Sequence, residues 1–163
     1  MRCAPVMSVI LWLSALCHAQ APTFGDYPVR LAFRGAATPL NYEHSGQCGT
    51  PNNNGAVQAP NFADHYVVVQ CFCYADHISS IALFITNAVN GRVYKAPFTV
   101  IGSGGLGDGL SWLRASRAIH VVGSFKVGEP SVDRWYTWNG RMLELKYEHR
   151  IPVPDWRYKY LGK

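Results

Sequence analysis

The sequence predicts an all-β protein: a single-domain antiparallel meander forming a sandwich or partly open barrel, with little helix. Three observations predict it. Short runs rich in β-branched and aromatic residues alternate with strong turn signals after residue 20. Two Asn-Gly pairs, Asn90-Gly91 and Asn139-Gly140, each stand between two such runs, as they do in type I′ hairpins. No segment sustains a helical apolar period between capping signals; a single turn near 110–114 is the most that the pattern allows.

The chain opens MRCAPVMSVILWLSALCHAQAP. Arg2 precedes an apolar run from Val6 to Leu16 that is too short to span a bilayer, and small residues follow. That is the pattern of a secretory signal, with Cys17 and Ala19 small at the two positions read for cleavage. Residues 1–19 are therefore expected to be a signal peptide cut after Ala19, and 20–163 a single β-rich domain, periplasmic or secreted. Bulky Leu16 speaks against a lipid anchor at Cys17. The formal charge is +5, and Arg2 would leave with the signal. A modest positive excess spread along the chain, without a basic cluster, argues against nucleic acid as a partner.

The strands follow in order. A first candidate is VRLAFRG (29–35), followed by a polar loop from Asn41 to Ala59 that holds Cys48. HYVVVQCFC (65–73) and SSIALFIT (79–86) are rich in β-branched and aromatic residues. RVYKAPFTV comes after the first Asn-Gly turn, and SRAIHVVGSF (116–125) supplies the next strand. The second Asn-Gly pair joins 133–138 to 141–148, where Leu143, Leu145 and Tyr147 alternate with Glu144, Lys146 and Glu148. Pro152 and Pro154 suit an extended strap over 149–163. In it Trp156, Tyr158 and Tyr160 interleave with Arg157 and Lys159, either as an edge strand or as a surface for a partner, a membrane or a polyanion.

The triplet Ala-Asp-His occurs at 63–65 and again at 75–77, flanking Cys71 and Cys73. Residues i and i+2 of a strand lie about 6.6–7 Å apart along the chain. Bonded cysteines want β-carbons about 3.8 Å apart, so Cys71 and Cys73 should not join each other. After cleavage Cys48 is the other partner in the chain, giving Cys48 with Cys71 or Cys73; the remaining thiol would pack beside Val67 and Val69.

As metal ligands, Cys71 and Cys73 would suit Cu(I), while His65 stands about 20 Å from Cys71 and no zinc spacing is present. A hydrolase would draw on His65, His77, Asp64 and Asp76, or on Asp108 with Glu129. The bland reading places both Asp-His pairs at opposite ends of one strand, bonding loop backbone. No G-x-S-x-G is present, and the glycine-rich run 102–109 lacks the Lys-Ser/Thr of a phosphate loop. No cofactor is implied.

APNFADHYVVV, ALFITNAVNGRVYKAPFTV, LRASRAIHVVGSF and DRWYTWNGRMLELK, in that order over about residues 60–146, resemble a group of uncharacterised bacterial exported proteins. The shared pattern is N-F-A-G-x-Y, an N-G-R-V-Y hairpin, S-R-x-I-x-V-x-G and Y-x-W-N-G. The resemblance implies a small periplasmic or secreted domain without an assigned activity. This chain departs from the pattern at Asp64, where the group has glycine. It departs again at QCFCYADHIS, where the group carries C-G-T-x-C.

These readings lead to one expectation and two rivals. The expectation is a non-enzymatic exported domain that binds a protein or other macromolecule of the cell envelope, as an immunity or inhibitor protein does. The rivals are a small envelope hydrolase and a copper-handling protein. The oligomeric state is left open.

Overall fold

The computed structural model describes residues 20–35, 59–75, 78–102 and 109–152. Seven antiparallel strands form two sheets among these residues. One sheet has the order β1-β2-β3, from β1 (Tyr66–Ala75), β2 (Ile78–Asn87) and β3 (Val93–Gly102). The other has the order β4-β5-β6-β7, from β4 (Gly109–Trp112), β5 (Ala118–Gly123), β6 (Val132–Trp138) and β7 (Leu143–Arg150). The sheets are not closed into a barrel. They meet where Ile101 N–H donates to Ser124 O at 2.7 Å. The fold is all-β, as the alternation implied, and no described helix is long and apolar enough to cross a membrane.

Period-two alternation explains the core. Val68, Leu83, Ile85, Ala96 and Val100 of the first sheet pack against Ile119, Val121, Tyr136, Trp138 and Leu143 of the second. Burying a side chain such as Leu83 contributes about 2–3 kcal/mol relative to leaving it in water. Trp138 sits edge-on to Tyr66 and Tyr94, at 5.4 and 5.1 Å between centroids. Val67, Val69 and Ala88 make a second buried cluster on the opposite face of β1, covered by Phe33.

Several local expectations are corrected. Residues 29–35 are not a ladder strand: they run alongside the body, anchored by the Pro28–Ser116 bridge. The N–H groups of Ala32 and Phe33 are taken by the Asp64 carboxylate instead of a strand. The stretch near 110–114 begins in β4 rather than in a helical turn, and among the described residues the helical piece is a 3-10 turn at Phe24–Asp26. At the two Asn-Gly turns only the glycine is left-handed, with φ +73° at Gly91 and +93° at Gly140. Type I′ needs positive φ at both central residues, so neither turn is one. Asn139 instead accepts from the N–H groups of Arg141 and Met142, and Asn87 from Val89 N–H.

The alternation along β7 breaks at Lys146. Tyr136 pairs with Leu145 but Trp135 with Tyr147, so a bulge turns Tyr147 away from the face that Leu143 and Leu145 occupy. His149 and Arg150, expected in the strap, belong to β7. In β3 the residues around Pro97 stand opposite Leu83 at a register shift; proline is tolerated there because β3 is an edge strand among the described residues. At the start of β1 the chain covers its own edge. Asn61 accepts from Val68 N–H at 2.8 Å and donates to Val68 O at 3.2 Å.

Candidate functional site

The first Asp-His pair is architecture. Ala63 and Asp64 have φ values of +41° and +71°, a left-handed step that aims the Asp64 carboxylate at residues 32–33. Its oxygens accept from Ala32 N–H at 2.8 Å and Phe33 N–H at 3.0 Å, and lie 3.5 Å from His65 Nδ1. Burial alone would raise the Asp64 pKa; the N–H groups of Phe33 and Ala32, with His65, outweigh it and hold the carboxyl below its usual range. Arg114 closes the other side, donating to Asp64 O and Phe33 O. His65 lies against Tyr66, 4.4 Å between ring centroids. Asp64 and His65 are therefore committed to holding segment 29–35 on the body. Asp76, His77 and Asp108 lie outside the described residues, as do Cys48 and Trp156, Arg157, Tyr158, Lys159 and Tyr160.

The cysteines part ways. Cys71, opposite Ala82, is a buried free thiol, and burial pushes its pKa up. A nucleophile needs the reverse, so Cys71 behaves as a small hydrophobe. Cys73, opposite Ser80, is disulfide-bonded, and no bridge joins two described residues. Among the described residues no three ligand-type side chains converge as a metal site would require.

Chemistry gathers instead on β6, where consecutive residues point to opposite faces. Arg134 points inward, into an open cleft of about 630 Å³ between the β3 edge and the 125–129 turn. Lys95, Pro97 and Thr99 form one wall and Phe125, Lys126 and Glu129 the other. Phe98 forms the floor, stacked on Tyr136 at 4.7 Å and edge-on to Phe125 at 5.6 Å. The Arg134 guanidinium lies 4.0 Å from the Phe125 ring centroid and donates through Nε to Glu148 at 2.6 Å. Desolvation opposes its charge, but Glu148 and Tyr136 outweigh it and its pKa is raised. The cleft thus presents a fixed cation over aromatic rings, with Lys95 and Lys126 at its rim.

Asp133 points outward. Its Oδ1 is 2.8 Å from His120 Nε2, and His120 Nδ1 is 3.5 Å from Ser111 Oγ. The imidazole stacks on Trp135 at 4.4 Å and 18°, and the Phe24 ring packs tilted against Trp135 at 5.0 Å. Three adjacent strands bring these residues together: Ser111 is opposite His120, and His120 is opposite Trp135. Neither constellation stands out in the sequence. The turn centred near 115–116 would have paired Ser111 with His120, had β4 been recognised as a strand. Searches against protein-family models, curated proteins and solved structures found no match to the chain.

Proposed function

We propose that this protein is an exported binding domain that takes an acidic segment of an envelope or secreted protein into the cleft beside Arg134. The carrying observation is the cleft itself: Lys95, Lys126 and Arg134 face Glu129 alone among its charged lining residues. Glu148 partly neutralises Arg134 and Glu129 pairs with Lys126 at 3.2 Å, so Lys95 supplies the net positive charge of the cleft. Among the described residues β3 has a partner strand on one side only, which lets an extended occupant run along its free edge. The aromatic floor supplies the desolvated contact that charge alone does not. Export fits the signal-like N-terminus and the disulfide at Cys73, for which we propose Cys48 as partner.

The test is titration of isotope-labelled protein with a Glu-rich peptide, followed by amide shifts. The expected result is movement confined to 95–99 and 125–134, weakening as salt rises from about 0.05 to 0.5 M, where screening sets in. Lys95→Glu with Lys126→Glu should abolish it. Shifts elsewhere, or equal shifts with a Lys-rich peptide, would overturn the reading.

A further inference from the structure

The outer face of the four-stranded sheet carries a second constellation, back to back with the cleft and independent of it. We infer that Ser111 is an acylatable nucleophile for carboxylic esters, with His120 as its base and Asp133 as the residue that positions the imidazole.

The tautomer follows from the bonding. An ionised carboxylate only accepts, so the 2.8 Å contact places the proton of neutral His120 on Nε2. Nδ1 is then the bare nitrogen, and it faces Ser111 Oγ. Stacking on Trp135 fixes the ring plane, so that the imidazole is held by a carboxylate at its edge and an indole at its face. This is the division of labour in hydrolytic triads: nucleophile, base, and a group that orients the base. At 3.5 Å the Ser111–His120 contact is longer than a formed bond, as catalytic contacts in free enzymes often are. Ser111 is exposed, while His120 and Asp133 are three-quarters buried, the pattern expected of a reachable nucleophile on a supported base. Gly109, two residues earlier on β4, brings no side chain to the neighbouring position on that face. Val122, its partner on β5, is half-buried there, and an acyl group can lie against it.

The chemistry balances without a co-reactant other than water. Ser111 Oγ bonds to the ester carbonyl carbon as its proton passes to His120 Nδ1. The carbonyl re-forms as the C–O bond to the alcohol breaks, and the Nδ1 proton leaves with the alkoxide. Water then gives a proton to Nδ1 as it attacks the acyl-serine. That proton returns to Oγ as the carboxylic acid departs. Esters are the substrate class because the face is open to water, and an alkoxide needs less help in leaving than an amine.

Incubating the full chain with a fluorophosphonate probe and mapping the adduct by mass spectrometry tests the site; 4-nitrophenyl butyrate hydrolysis supplies the rates. The expected adduct is on Ser111. Labelling and hydrolysis should fall at least about 100-fold in His120→Gln, the usual scale for loss of a general base. Asp133→Asn should lower kcat by a similar factor with KM nearly unchanged. Circular dichroism melts of the three proteins should coincide, separating lost chemistry from lost fold. Absence of an adduct on Ser111, or undiminished labelling in His120→Gln, would overturn the inference. Neither result bears on acidic-peptide binding at the cleft.

Discussion

The two sheets treat their outer faces differently. On the three-stranded sheet Val67, Val69, Cys71, Ala82 and Thr86 are buried, and segment 29–35 brings Phe33 down on Val67 and Val69. On the four-stranded sheet Ser111, His120, Asp133, Tyr147 and His149 keep contact with water, and Phe24 packs against Trp135. Both sheets donate one apolar face to the shared core. The first spends its other face on stability, and the second leaves it for polar chemistry. Sequence reading drew attention to the first because cysteine, histidine and aspartate crowd there. The reactive geometry is on the second.

The sharpest way to break this contrast is to free the cover of the first sheet. Asp64→Ala removes an ionised acceptor of two backbone N–H groups and leaves alanine in a left-handed conformation. The expected loss is about 3 kcal/mol by chemical denaturation. Asp64→Asn keeps a short polar side chain suited to that backbone, so it should cost less than half as much. Equal losses would mean that the carboxylate charge decides the matter and the backbone conformation does not.

Lowering the pH probes the same contact in the wild type. The folded pKa of Asp64 lies below its unfolded value of about 3.9. Its contribution is therefore full above that value and disappears as pH falls through the lower, folded value. Urea midpoints measured from pH 7 to 2.5 should fall less steeply in Asp64→Asn than in the wild type.

Next in size is Val67→Ala, beneath Phe33. Its side chain is wholly buried, and the expected loss is about 2 kcal/mol from lost transfer and an unfilled gap. The smallest effect belongs to the other sheet. Ser111→Ala, on an exposed position, should change stability by no more than about 0.5 kcal/mol. A loss near that of Val67→Ala would make Ser111 a structural residue and remove the contrast between the two faces.

Much of the fold was legible because period-two alternation carries over directly to strands with one buried face. β1, β2, β5 and β6 lie within a residue or two of the runs that announced them. What escaped depended on long-range contacts. Residues 29–35 have strand composition, but their backbone donors are claimed by a carboxylate some thirty positions later. The bulge at Lys146 is invisible in a pattern that alternates without a break. Asp64 has a φ of +71°, a conformation that glycine adopts freely, and no spacing in the sequence announces it at an aspartate. The site was harder still. Ser111, His120 and Asp133 sit on three strands, and no spacing rule joins them until the register of two hairpins is known. Arg134 and its cleft needed the packing of one sheet on the other.

The Asn61 side chain has a consequence for life at high concentration. By accepting from Val68 N–H and donating to Val68 O, it takes the two bonds that a neighbouring strand would seek at that point. Among the described residues β1 is the outermost strand of its sheet, and it contains the run Val-Val-Val, a sequence well suited to stacking on copies of itself. A single amide acts there as a stopper. It does with two hydrogen bonds what other proteins do with a lysine or a proline, leaving the valines free to serve the interior.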